Sequence, residues 1–310
     1  MKLKTGLVYS SEFKKHITGV GHPERPERTE AVYAALKKAA FAEDLTDIKP
    51  APATHEDLVR CHTAEYIERA RHDVASGASL LSTGDTNICR DSYDIALLAA
   101  GGVIRAVDQV CRGELKNAFC AIRPPGHHAT PTHGMGFCLF GNVALGAHYA
   151  LARQHAERIL IVDWDVHHGN GTQALVEHTP NIRFVSMHQW PWYPGTGAAE
   201  DRGPHQSIWN VPMTGGLRRE RYVSALLGAI DEATKDFVPG LVMISAGFDS
   251  LAGDPLGEFT LEMEDVDRLT RELVSRADQW CGGRLVSALE GGYAPDRLGQ
   301  ACVTHMRALL

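Results

Sequence analysis

The sequence predicts an α/β fold, a mostly parallel central sheet with helices on both faces, laid out as a single domain over residues 1–310. Three observations predict it. Short apolar runs recur along the chain, helical patterns separate several of them, and polar or glycine-rich segments follow four of the runs. Strands that are apolar on both faces and alternate with helices belong to a parallel sheet covered on both sides. In such sheets ligands bind beyond the carboxyl ends of the strands.

The expected strands, in order, are LVY near residue 7, AFCAI at 118–122, ILIV at 159–162, IRFVSM at 182–187, LVMISA at 241–246 and RLVSAL at 284–289. A helix is expected over DSYDIALLAAGGVIRAVDQVC. There Ile95, Leu98, Ala99, Gly102, Val103, Ala106, Val107 and Val110 keep the three-and-four spacing of one face, and Gly113 marks its end. Two more helical patterns, YVSALLGAIDEATKDF and FTLEMEDVDRLTRELVSRADQW, precede the strands at 241 and 284. No linker, repeat or low-complexity tract interrupts the series, and 44% apolar content is enough for one large core.

Composition excludes several classes. Acidic residues outnumber basic ones 38 to 31 without a Lys/Arg cluster longer than a pair or so, which argues against a surface that tracks phosphates and so against nucleic acid. Seven cysteines, at 61, 89, 111, 120, 138, 281 and 302, are odd in number and lack CxxC spacing. Neither a disulfide framework nor a zinc ribbon is indicated, and a reducing compartment fits. The stretch MKLKTGLVYS has too short an apolar run for a signal peptide, and no segment approaches a membrane span. A soluble, cytoplasmic protein is expected.

The polar segments carry the chemistry. In ILIVDWDVHHGNGTQ, strand alternation puts Asp163, Asp165 and His167 on one side and Trp164 and Val166 on the other. Burying a carboxylate costs several kcal/mol unless it is paired or bound to metal, so two carboxylates and an imidazole converging on one side suggest a divalent site with a position left for water. The plainer alternative is a salt-bridged strand end. Asp249, after LVMISAGF, is by itself an ordinary turn residue that gains weight from this company. His127 and His128 follow Pro124, Pro125 and Gly126, a rigid approach that fixes the imidazoles, with Asp163 and Asn170 available to orient them. Tyr293 follows two glycines where a turn can bring a phenol over a site. Cys138 reads as a packed residue rather than a nucleophile, and no serine stands in a GxSxG setting.

With these residues in place the chain resembles the histone deacetylase family, within the arginase/deacetylase superfamily, from about residue 5 to about 308. The likeness rests on HPERPER at 22–28, RPPGHHA at 123–129, GMGFC at 134–138, DWDVHHGNGTQ at 163–173, YPGTG at 193–197, SAGFDSLAGDPLG at 245–257 and EGGY at 290–293. The wording DWDVHHGNGTQ is most similar to the class II enzymes and their bacterial amidohydrolase relatives.

The resemblance implies a three-layer arginase/deacetylase fold and a zinc-dependent amidohydrolase that removes acetyl or other acyl groups from lysine. It implies one zinc per chain on Asp165, His167 and Asp249, with Asp163 holding His127, Asn170 holding His128, and Tyr293 donating to the substrate carbonyl. It further implies an acyl-lysine tunnel shaped by Gly136, Phe137, Tyr193 and Leu256, Asp85 at the rim gripping the substrate backbone, and Arg28 near an internal cavity for the released acid. Backbone carbonyls of Asp163, Asp165, His167, Ser186 and Met187 resemble a structural potassium site. A carboxylate favours imidazolium more than an amide does, which assigns His127 a charged role and His128 the proton transfers.

Three rival readings remain at this level: an acetylpolyamine or other small-amide hydrolase, a two-manganese ureohydrolase of the same superfamily, and a silent module that only recognises acylated lysine. Oligomeric state is left open.

Overall fold

Ile159 and Ile161 join one buried apolar cluster and Leu160 and Val162 another, so this strand is covered on both sides. The run at 241–246 divides in the same way, with Leu241 and Met243 facing one layer and Val242 and Ile244 the other. A strand without a polar face needs apolar cover above and below, which is the arrangement of three layers. The computed structural model, which describes residues 4–310, has that architecture. Residues 1–3 of the stretch MKLKTGLVYS lie outside the described residues.

Among the described residues one sheet is formed by β1 (Thr5–Val8), β2 (Thr46–Ile48), β3 (Asn117–Cys120), β4 (Ile159–Asp163), β5 (Ile182–Gln189), β6 (Ile208–Met213), β7 (Leu241–Ala246) and β8 (Leu285–Leu289). Every pairing is parallel, in the order β2-β1-β3-β8-β7-β4-β5-β6. Helices α3 (Ala64–Ala75), α4 (Ser92–Cys111) and α5 (Asn142–Ala152) cover one face. The opposite face carries α1 (Glu27–Lys38), α7 (Arg219–Thr234), α8 (Met263–Cys281) and α9 (Pro295–Leu309). Two shorter helices, α2 (His55–Leu58) and α6 (Asn170–Val176), complete the set.

The six expected strands are all present, and the two not anticipated are the edges of the sheet. Strand β2 has three residues, and most of β6 is only partly buried with Pro212 inside it, so neither shows the continuous apolar run of an interior strand. The helix predicted from Phe259 begins at Met263, because Glu262 and Asp265 form a reciprocal capping box. Phe259 and Leu261 instead enter the apolar layer as extended chain ahead of the cap. In α4 the predicted face is buried, although Leu98 is only partly covered.

The strand order has a direct consequence. Strands β3, β8, β7 and β4 are consecutive, so RPPGHH, EGGY, GFDS and DWDVHHGN leave the same edge of the sheet side by side.

Candidate active site

Strand β4 stops at Asp163, and the chain bends through 164–169 before α6 starts at Asn170. Trp164 and Val166 still enter the apolar layer beside α7–α9. Asp163, one of the three ligands that strand alternation alone suggested, is engaged elsewhere: its Oδ2 faces His127 Nδ1 at 3.0 Å and its Oδ1 accepts the Asp165 N–H. The third place is taken by Asp249. Pairing of β4 with β7 sets Asp163 beside Ser245, and the loops beyond that pair bring Asp165, His167 and Asp249 together. Their ligand atoms all lie within 4.8 Å of one another, and all three residues are buried.

This trio fits a divalent cation. Asp249 Oδ1 accepts the Val166 N–H at 2.8 Å, but its buried Oδ2 makes no hydrogen bond, with the His167 Nδ1 3.4 Å away from it. Burial first, and then the Asp165 charge, push the Asp249 carboxyl up to about 7. A cation at this point would satisfy the free oxygen and relieve the repulsion between the two carboxylates. Gly291 donates to Asp165 Oδ2 at 2.8 Å, and a Cβ at this glycine would collide with both carboxylates.

The adjacent histidines differ in partner. His127 faces Asp163, whereas His128 Nδ1 lies 2.7 Å from the Asn170 side-chain oxygen. Burial disfavours the charged form of both rings. At His127 the carboxylates of Asp165 and Asp163 outweigh it and hold the pKa well above the usual histidine value. At His128 burial is reinforced by His127 and His167, and the ring is held well below that value. The pair is thus one charged and one neutral imidazole, 4.0 Å apart between centroids.

A cavity of about 310 Å³ descends to these groups. Its walls include Gly136, Phe137, Tyr193 and Leu256, with Trp192 and Pro255, and its lining includes buried His128, His167 and Tyr293. Gly136 has φ 55°, and a Cβ there would collide with the His128 ring, so only glycine fits. Phe137 also takes a left-handed conformation, φ 68°, a strain that the neighbouring contacts of the wall maintain. Asp85 accepts the Gly136 N–H at 2.7 Å and the Tyr193 hydroxyl at 3.1 Å, so it joins two walls of the cavity. A larger depression of about 440 Å³ beside α4 holds mixed charges and none of these groups.

Tyr293 is buried, its ring edge-on to Phe137 and 4.8 Å from the Arg28 guanidinium. Burial pushes its phenol well above the usual value against the opposing effect of Arg28, so it is a hydroxyl donor at neutral pH. Arg28 is fully buried behind it. Asp163, Asp165, His167, Ser186 and Met187 lie near the adjoining ends of β4 and β5, whose register pairs Asp163 with Ser186. Cys138 is buried, its thiol raised by burial and its Sγ donating to the Gly136 carbonyl, as a packed residue would be.

Sequence reasoning passed over Glu290, Asp254 and Trp192. Glu290 accepts the N–H groups of Gly126 and His127 at 2.6 and 3.1 Å, and Asp254 accepts the Tyr293 N–H at 2.6 Å. Glu290 carried a signal like that of Asp163, an acid directly after a wholly buried, mostly apolar strand. Asp254 and Trp192 stand in loops, where no periodicity marks them.

Residues 22–309 match the family model described as the histone deacetylase domain. The chain is 39% identical over 295 residues to a probable deacetylase of Archaeoglobus fulgidus, covering 94% of this chain and 81% of that protein. It is 38% identical over 278 residues to a histone deacetylase-like amidohydrolase of Pseudomonas aeruginosa, covering 88% of this chain and 73% of the other. The crystal structure of the HDA15 HD domain superposes with a TM-score of 0.92 at 34% identity, over 99% of this chain and 90% of that one. Motif order, fold and the alignment across nearly the whole chain agree, and the chain belongs to the histone deacetylase family.

Proposed function

We propose that the chain, as one catalytic domain over 1–310, is a zinc-dependent amidohydrolase that removes acetyl or other acyl groups from the ε-amino group of lysine in peptides or proteins. The observation that carries this reading is a buried Asp-His-Asp trio whose His167 lines the cavity together with a neutral histidine, His128, and Tyr293. One cation per chain on Asp165, His167 and Asp249 would supply Lewis acidity to a water and to the acyl carbonyl.

The residues divide the remaining work. Asn170 Oδ1 accepts from His128 Nδ1, which leaves Nε2 free to take a proton from water and later deliver it to the departing amine. His127, charged against Asp163, stabilises the negative charge that develops nearby. Tyr293 donates its hydroxyl to the substrate carbonyl oxygen. Gly136, Phe137, Tyr193 and Leu256 enclose the acyl-lysine stem, Asp85 accepts from the substrate backbone at the rim, and Arg28 lies near the route of the released acid. The carbonyls of Asp163, Asp165, His167, Ser186 and Met187 would hold potassium and neutralise the loop dipoles there.

The cavity wall supports acyl-lysine over acetylpolyamine. A polyamine carries further cationic nitrogens, yet the lining offers Phe137, Trp192, Pro255 and Leu256 and one carboxylate, Asp85. Among the described residues a single trio of this kind is present, which favours a mononuclear site over a two-manganese one. A silent binding module would have no need of the proton-transfer pair. Turnover of acetyl-lysine peptides, longer acyl-lysine peptides and acetylpolyamines, measured side by side on protein of known metal content, tests the reading. Faster turnover of acetylpolyamines, or two ions per chain, overturns it.

A further inference from the structure

Two catalytic loops leave neighbouring strands, and a buried ionic chain ties them together. Arg28 donates from Nε to the Gly292 carbonyl at 2.7 Å, from Nη2 to the Glu290 carbonyl, and from Nη1 to Glu24 at 3.2 Å. It also lies against the Tyr293 ring. All of its hydrogen bonds but one therefore go to the turn that carries Tyr293. Glu24 is in turn gripped by one edge of the Arg123 guanidinium, Nε to Oε1 at 2.6 Å and Nη2 to Oε2 at 2.8 Å, while Nη1 donates to the Phe13 and His16 carbonyls. Arg123 begins the segment Arg123-Pro124-Pro125-Gly126 that leads directly into His127 and His128. All three charged side chains are fully buried.

We propose that Glu24 is a positioning residue, the joint of an Arg28–Glu24–Arg123 brace that sets the distance between the Tyr293 hydroxyl and the histidine pair. A carboxylate buried between two guanidinium groups, with the His16 Nε2 a further 3.5 Å from its Oε2, is held in one place, because any displacement leaves a charge unpaired in a low-dielectric interior. The bidentate contact with Arg123 fixes orientation as well as distance. The Tyr293 turn contains two glycines and, left to itself, has more backbone freedom than a catalytic donor tolerates. The brace removes that freedom from behind, without touching the substrate. Glu290 makes a second link between the same loops through Gly126 and His127, so Arg28 braces the turn while Glu290 braces the histidines.

The inference rests on the role given to Tyr293 above, and a double-mutant cycle on the metal-loaded full chain separates the two. Glu24→Gln keeps the shape of the joint and removes its charge. In the parent protein it lowers kcat about 10- to 100-fold with KM changed less than about twofold, because a donor misplaced by a fraction of an ångström is lost to the transition state more than to binding. In a Tyr293→Phe background the same change costs less than about threefold, since the group being positioned is gone. Equal losses in both backgrounds would overturn the brace while leaving Tyr293 in the mechanism. Normal turnover of Tyr293→Phe itself would overturn both. Should Glu24→Gln not fold, Arg28→Lys replaces it in the cycle: lysine keeps the charge opposite Glu24 but cannot reach Glu24 and both carbonyls together, and the same non-additivity is expected.

Discussion

The Nδ1 of His128 lies 2.7 Å from the side-chain oxygen of Asn170, so the other nitrogen of this neutral ring is free to accept a proton. Replacing the amide by a carboxylate changes that state. In Asn170→Asp, a charge beside Nδ1 favours the imidazolium, and the acid limb of the kcat profile moves to higher pH. The parent protein, whose His128 is held below the usual histidine value, should keep its activity to lower pH than the variant. An unchanged acid limb in Asn170→Asp would remove His128 from the proton transfers. His128→Ala should lose turnover more completely than His127→Ala, and the reverse order would exchange their roles.

Tyr293→Phe removes the hydroxyl proposed to donate to the acyl oxygen and leaves Asp165, His167 and Asp249 unchanged. The expected loss in kcat is about 100-fold, or about 3 kcal/mol, with metal content unchanged by elemental analysis. A rate within twofold of the parent would take Tyr293 out of the mechanism.

Asp85 accepts from Gly136 and from Tyr193, and thereby holds two walls of the cavity in register. Tyr193→Phe keeps the ring and breaks one of these contacts, so the mouth loosens. KM for a short acetyl-lysine peptide should rise several-fold with a smaller change in kcat, whereas Asp85→Ala, which frees both walls, should cost more. Identical KM values in all three proteins would show that the mouth is set by other contacts.

Metal removal should act on stability as well as on rate. The orphaned Asp249 oxygen and the two facing carboxylates are relieved only in the loaded protein, so a ligand at 100 times its Kd adds about 2.7 kcal/mol to the native state. Chelation should lower the melting temperature and abolish turnover together, and one equivalent of zinc should restore both. Full activity after exhaustive chelation would end the metallohydrolase reading.

His62 offers a test away from the catalytic groups. Its Nδ1 donates to the Thr130 carbonyl and its Nε2 accepts the Gly141 N–H, so it is held as a neutral ring, and burial pulls its pKa down to about 4. The unfolded chain binds a proton here near the ordinary value of about 6.5, and the folded chain does not until about 4. The stability contributed by this pair of states is present above pH 6.5 and is lost as pH falls toward 4, by about 1.4 kcal/mol per unit from this site. Denaturant unfolding across that range should show a shallower pH dependence in His62→Gln than in the parent. Parallel curves would mean that His62 titrates alike in both states.

Much of this molecule was legible before any coordinates. The interior strands announce themselves because a strand buried on both faces must be apolar throughout, and the acids and histidines that follow such runs have no cheap explanation as packing. The edge strands β2 and β6 were not legible, since an edge lacks that continuous burial. Strand alternation also misled at Asp163, because the chain bends directly after it and alternation holds only while the backbone stays extended.

The sequence alone determined which residue types were on offer: an acid, imidazole, amide or phenol after each of four strands, in a motif order that points to one family. Only the folded chain decided which of them meet. The order β3-β8-β7-β4 sets Tyr293 and Asp249 between His127 and Asp165, although the chain visits those strands in a different sequence. It also seats Glu24 against Arg123, 99 residues away. Periodicity reports a residue's immediate surroundings, whereas strand order and buried ion pairs arise from contacts between distant segments, whose energies exist only once the layers have closed.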